Sequence, residues 1–355
     1  MNRIRFDVYY FLKISILAIL CLYVNTFASF AQQTISEHKH HPVFHESDVY
    51  VITNRQIDTS NARHPFTNHV STNPSLTFFR ANASCQDSIR LTRLDSIAFL
   101  TEILSIKRQD WVLFLHGDNK PFEHAVLEGL NIQNTHNIKV IIFSWPSRSL
   151  ELNGLKNLES SYRNLLKSSD HFKSVIRTMY CLRNSGTDFF DKNKLSLFVH
   201  SLGNYYLENI VNEHFLLESG SLLFDNVIIN AAAVEQENHK KWLEQLHVQK
   251  NVFITFNKKD INLLALRIFS KHGMKLGERA KLPFANNAVY FNFTKSVGFR
   301  LNTKSTHTYF IGEVTERNNN ILHFYSDILH GLSPDLADET KFMKRRESLG
   351  YLFVK

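Results

Sequence analysis

What most constrains this chain is a series of short apolar runs that do not alternate with polar residues, separated by longer stretches of helical spacing. Trp111–Leu115 reads WVLFL, Val140–Ser144 reads VIIFS, Leu195–Val199 reads LSLFV and Asn251–Phe256 reads NVFITF. A strand with one wet face alternates, whereas a strand covered on both faces need not. Val49–Thr53, Val227–Asn230 and Val289–Phe293 complete the predicted strands. Between many of them lie Leu94–Ile106, Glu123–Ile132, Glu159–Cys181, Gly203–Leu217, Glu237–Leu246 and Leu263–Phe269, each with apolar residues at i, i+3 and i+4. Strand–helix alternation repeated this often predicts an α/β domain: a mostly parallel, doubly wound sheet with helices on both faces. With 355 residues and 43% hydrophobic content, one large domain of this kind is affordable.

The chain begins differently. Arg3 and Arg5 precede the uninterrupted apolar run Ile14–Val24, and Ser29-Phe30-Ala31 supplies small residues for cleavage, so residues 1–31 are expected to be a signal peptide. An uncleaved anchor is the alternative, although the run is shorter than a bilayer span requires. Residues 32–47 form a polar leader carrying His38, His40, His41 and His45. It is expected to be mobile, with transition-metal binding as the alternative. The α/β domain is expected over 48–335, with 54–93 as polar decoration and 336–355 as a basic tail bearing Lys341, Lys344, Arg345 and Arg346. Beyond the leader only Cys85 and Cys181 remain, too few for a disulfide scaffold, and their pairing is left open.

Most of the formal net charge of +8 lies beyond the first 31 residues and is spread along the chain. An excess of this kind favours anionic surfaces such as the cell envelope. It lacks the interleaved basic and aromatic residues of a nucleic-acid binder, so nucleic acid is not an expected partner.

The strongest chemical constellation is the strand, sharp turn and helix at Leu195–Leu207, LSLFVHSLGNYYL. A serine on such a turn has its hydroxyl raised clear of the sheet, and Ser201 is the candidate nucleophile. Residues two before and two after it should be small, because strand and helix backbones nearly touch there. Gly203 meets that need and Val199 does not.

A hydroxyl nucleophile needs a base, and the base needs an orienting acid. Asp260 directly follows the strand NVFITF and is the candidate acid; a helix N-cap would also explain it, and Glu235 is the runner-up. His307, in the polar loop KSTHTYF, is the candidate base. His323 and His330, seven apart on one helical face, are the alternatives. A tetrahedral oxyanion needs preorganised donors. The backbone N–H of Leu202 supplies one, and that of Asp118, in the turn Leu115-His116-Gly117-Asp118-Asn119, the second. His116 is expected to be structural, and the Asp118 carboxylate would oppose the anion unless it points away.

Six ordered segments resemble a bacterial α/β-hydrolase family of unassigned substrate, described as esterase- or lipase-like. They are Val51-Ile52-Thr53-Asn54-Arg55, Leu115-His116-Gly117-Asp118-Asn119-Lys120-Pro121-Phe122, Phe143-Ser144-Trp145-Pro146-Ser147, Val199-His200-Ser201-Leu202-Gly203-Asn204, Asp260, and His307-Thr308-Tyr309-Phe310. The resemblance implies the α/β-hydrolase fold, with Ser201, Asp260 and His307 as nucleophile, acid and base. Two positions depart from the pattern: Val199, and Ala232-Ala233 where a Pro-Asp pair is usual.

Together these residues predict an exported serine hydrolase, periplasmic or extracellular, acting on a small acyl ester or lipid-like substrate, with an amide or thioester as the alternative bond, through an acyl-enzyme, with no cofactor or metal. A non-catalytic binding module of the same fold at the envelope is the alternative. The stretch 157–185, ahead of the nucleophile strand, is expected to be a lid or a plain crossover helix.

Overall fold

The computed structural model describes residues 48–354 apart from 62–64, 84–88, 107, 150–151, 153, 186–191, 217–221, 271–272, 299–305 and 345–349. The signal-peptide and leader expectations, and Cys85, lie outside the described residues; Cys181 is exposed. No helix among the described residues is long and apolar enough to cross a membrane.

The strands are β1 (Asp48–Thr53), β2 (Arg55–Ile57), β3 (Phe66–Val70), β4 (Thr77–Ala83), β5 (Ile89–Leu94), β6 (Trp111–Leu115), β7 (Lys139–Ser144), β8 (Leu195–His200), β9 (Phe224–Asn230), β10 (Gln249–Phe256), β11 (Ala288–Asn292), β12 (Phe342–Lys344) and β13 (Tyr351–Phe353). The principal helices are α1 (Ser96–Ser105), α2 (Phe122–His136), α3 (Gly154–Lys167), α4 (Ser169–Arg183), α5 (Asn204–Asn212), α6 (His239–Leu243), α7 (Ile261–Ser270) and α8 (Asn319–Leu329).

Eleven strands form one sheet in the order β12-β13-β11-β10-β9-β8-β6-β7-β1-β4-β5. From β13 to β1 each neighbouring pair is parallel. Antiparallel pairs close the two edges. The non-alternating runs are indeed its centre: every residue of β6, β8 and β9 is buried. This is the mostly parallel α/β architecture the sequence implied.

Order along the sheet locates the site. From β6 the chain steps outward to β7, then crosses back over β6 to form β8 on its other side. Ligands of open parallel sheets bind where the winding reverses, in the crevice at the carboxyl ends of the diverging strands. Here that crevice lies after Leu115 and after His200.

Two expectations need correction. Residues 54–93 are not loop-like: they form β2 to β5, with β4 and β5 extending the sheet beyond β1. β5, at the sheet edge, has no buried residue, and β4 between it and β1 buries Phe78, Phe79 and Ala81 but is interrupted by Arg80 and Asn82, so neither shows the unbroken apolar run of the central strands. Nor is 336–355 a tail outside the domain. β12 and β13 join the sheet beside β11, and Phe342 and Phe353 pack on the Phe291, Phe293 and Phe324 rings. Two three-residue strands beside a cluster of basic residues carry little of the pattern that marks a longer strand.

The stretch 159–181 is two helices, not one, and they differ in kind. α4 buries His171, Phe172, Val175, Ile176, Met179 and Leu182, as a crossover helix must. α3 buries only Asn157, Ser161 and Leu165.

Candidate active site

Ser201 sits between β8 and α5 with φ of 52°, the left-handed region that a non-glycine residue adopts only under constraint. The turn is closed by Asn204, whose side-chain amide donates to the carbonyl oxygens of Val199 at 3.2 Å and Ser201 at 3.0 Å. Ala233 N–H donates to the same Ser201 carbonyl at 3.1 Å. Asn119 (φ 63°) and Ala231 (φ 43°) are also left-handed, so residues following the neighbouring strands β6, β8 and β9 all carry unusual backbone. Strain of this kind collects at functional sites.

Two glycines explain how close the elements come. A Cβ on Gly203 would lie 2.8 Å from the His116 carbonyl oxygen and 3.0 Å from that of Leu115, so only glycine lets α5 pass over the end of β6. A Cβ on Gly117 would lie 2.7 Å from Ser201 Cβ and 3.3 Å from its Oγ. The backbone of the loop after β6 therefore lies directly against the serine side chain. Val199, the departure from a small residue, is fully buried within β8 in register with Leu115 and Ile229. The turn forms with it in place.

Opposite lies His307, whose Nδ1 is 2.6 Å from Asp260 Oδ2 although the two are 47 residues apart in the chain. Asp260 is fully buried and its other oxygen is also committed: Oδ1 accepts from Leu263 N–H at 3.0 Å, capping α7. One carboxylate thus caps α7 and holds His307. Asn257 steadies the histidine loop by donating to the Thr306 carbonyl at 2.8 Å. Among the described residues no hydrogen bond joins Ser201 Oγ to His307. Instead both adjoin His200, whose ring centroid is 4.6 Å from that of His307 and whose Cδ2 faces Gly117. Nucleophile–base contacts are often loose without substrate.

His200 belongs to a buried polar network that the sequence reading missed. Asn230 Oδ1 accepts from Thr255 Oγ1 at 2.7 Å and Tyr325 OH at 2.6 Å, which fixes the amide so that its Nδ2 donates to His200 Nδ1 at 2.9 Å. His200 therefore carries its proton on Nε2 and remains neutral. Burial, and then the neighbouring His307, push it well below the usual histidine range. A polar Asn ending the apolar run FDNVIIN was the available signal.

The loop after β6 is held from below. His116 Nδ1 donates to the Gly117 carbonyl at 2.8 Å, and its Nε2 accepts from Trp145 N–H at 3.2 Å. Burial, then Arg55, keep this histidine neutral, consistent with a structural role. Arg55 is itself fully buried. It donates to Ser144 Oγ at 3.2 Å, to the Lys120 carbonyl at 2.8 Å and to the Trp145 carbonyl, and burial lowers it to about 9. Its guanidinium ties the loops after β6 and β7 together. Burial raises the Asp118 carboxyl to about 6, against the lowering effect of Ser161, the Asn119 N–H and Arg148 beside it.

The remaining candidates lie elsewhere. His330 bonds Asp110, the residue before β6, at 2.8 Å, at the opposite end of the sheet. His323 is exposed on α8. Glu235 accepts from Gly273 N–H at 3.3 Å, and its backbone forms an isolated antiparallel bridge with Lys275.

A family model described as alpha/beta hydrolase of unknown function (DUF900) matches residues 96–287. The chain belongs to that family. The matched stretch of this alpha/beta hydrolase holds Gly117, Ser201 and Asp260 and ends before His307. No curated protein and no solved structure matches the chain.

Proposed function

We propose that this alpha/beta hydrolase is a serine hydrolase that cleaves carboxylic esters through an acyl-enzyme. The observation that carries the reading is the His307–Asp260 hydrogen bond, formed beside a serine in left-handed backbone at the point where the sheet reverses its winding. With Nδ1 committed to Asp260, His307 presents Nε2 as the proton acceptor.

Ser201 Oγ attacks the ester carbonyl carbon while its proton passes to His307 Nε2. Asp260 holds the Nδ1–H tautomer and offsets the imidazolium charge. The N–H groups of Leu202 and Asp118 receive the oxyanion. His307 returns the proton to the leaving alkoxide. Water, deprotonated by the same nitrogen, then releases the acid and regenerates Ser201. The closeness of Gly117 to Ser201 favours this placement of donors. Export through residues 1–31 is part of the proposal and rests on their sequence pattern.

The test is labelling by a fluorophosphonate, with p-nitrophenyl esters of graded chain length for turnover. Labelling is expected in the wild type and absent in Ser201→Ala. Absence from both, in folded protein, would leave the non-catalytic binding module as the better reading.

A further inference from the structure

α3 stands at the rim of the proposed active site. Ser161 Oγ donates to the Ser147 carbonyl at 2.7 Å and Asn164 Nδ2 to the Pro146 carbonyl at 3.0 Å, pinning the helix to the loop after β7. That loop in turn accepts Asn119 N–H at 2.9 Å. Tyr162 packs edge-on against Tyr205, four residues after Ser201, with ring centroids 5.3 Å apart.

The buried face of this helix is small and partly polar, and its outward face is unusual. Leu155, Tyr162 and Leu166 are 45%, 40% and 53% exposed. Their spacing of seven and four residues puts them in one stripe along the helix. Each is followed directly by an exposed cation, Lys156, Arg163 and Lys167, so a second stripe runs beside the first, displaced by one residue. Glu159 is the one exposed acid on the helix. Among the described residues no carboxylate pairs with any of the three cations.

Water disfavours an apolar stripe of this length, and a second protein surface would satisfy it without needing the regular companion row of cations. Apolar side chains flanked by basic ones on a single face are what a helix needs to lie in the headgroup region of an anionic bilayer. Its leucines enter the acyl boundary while lysine and arginine reach the phosphates. We propose that the outward face of α3 docks this protein on an anionic lipid surface and so presents the serine turn to that surface. The docking stands without the serine-hydrolase reading. Its corollary, that the ester cleaved belongs to a lipid, rests on that reading.

The experiment is amide hydrogen exchange on the full chain carrying Ser201→Ala, with vesicles of phosphatidylcholine alone or in equal mixture with phosphatidylglycerol. Slowed exchange over 154–167 is expected with the mixed vesicles and not with the neutral ones. Leu155→Ser with Leu166→Ser should weaken vesicle partition at least ~10-fold beyond any contribution of the N-terminal segment, which all variants share. Lys156→Gln, Arg163→Gln and Lys167→Gln together should weaken it about 10-fold or more at low salt and remove its salt dependence. All five positions are exposed, so folding should survive, which thermal melting checks. Exchange over 154–167 that mixed vesicles leave unchanged would overturn the proposal. So would protection that is complete before vesicles are added, which would give the stripe to the N-terminal segment, or protection that follows protein concentration alone, which would give it to a second copy. Because the Ser201→Ala chain is used, failure here leaves the esterase reading intact, and failure of fluorophosphonate labelling leaves docking intact.

Discussion

Two histidine–aspartate hydrogen bonds lie at opposite ends of the same sheet, and their surroundings give them different capacities. At the carboxyl end, His307 bonds Asp260 at 2.6 Å; at the amino end, His330 bonds Asp110 at 2.8 Å. The second is closed, because both ring nitrogens of His330 face oxygen acceptors, Nδ1 the Asp110 carboxylate and Nε2 the His136 carbonyl at 3.0 Å. The first has no such carbonyl on its Nε2 among the described residues and lies near a serine in left-handed backbone. The first pair fits the proton transfer proposed above, and the second fits holding chain segments together. Residue type does not separate them; the occupancy of the second ring nitrogen does.

The largest expected effect breaks this comparison at its active member. Ser201→Ala, or His307→Gln, should lower esterase turnover by ~10⁴-fold or more, while His330→Gln leaves it within about twofold, as read by kcat on a p-nitrophenyl ester. Equal losses from His307→Gln and His330→Gln would abolish the distinction. Next, Gly117→Ala drives a Cβ to 2.7 Å from Ser201 Cβ, so the loop after β6 must retreat from the nucleophile. Losing one oxyanion donor in this way costs ~10²–10³-fold in kcat, and fluorophosphonate reactivity should fall in parallel.

A smaller effect concerns Asp118. Its folded pKa of about 6 lies above the ordinary 3.8, so folding favours the protonated form. The stability this confers is complete below 3.8 and is lost as pH rises through about 6. Asp118→Asn should therefore raise the melting temperature at pH 8, by up to about 3 kcal/mol of stability, and leave it unchanged near pH 4. A uniform gain across that range would show that the carboxyl is not held protonated by burial.

The smallest effect belongs to the closed pair. The hydrogen bond to Asp110 raises His330, so its contribution is complete below the ordinary histidine pKa and is lost as pH climbs through the raised value. Burial pushes Asp110 up, but the bonds from His330 and the Lys194 N–H, together with the charges of those two residues, outweigh it, and its own contribution disappears as pH falls through its lowered pKa. His330→Gln should cost about 1 kcal/mol near pH 6 and less near pH 9, by chemical denaturation.

The central strands and the serine turn were legible because burial on both faces leaves unbroken apolar runs, and because Gly203 and Gly117 mark contacts no side chain tolerates. Asp260 and His307 could be nominated from their places after strands, yet their contact is a fact of folding across 47 residues. The outer strands β4, β5, β12 and β13 were not legible because polar residues interrupt the first two and the last two are only three residues long. Asn230 and Arg55 escaped because a buried polar side chain is recognisable only once its partners are known: two hydroxyls for the first, two loop carbonyls for the second.

Asp260 gives one oxygen to α7 and the other to His307. A library of this protein sorted for heat tolerance would discard most replacements at 260 before any substrate was offered, because frayed helix and misaligned imidazole arrive in the same clone. The chemistry proposed for this position is thereby insured against drift by architecture: a lineage that stopped needing the reaction would still be held to a helix-capping residue there.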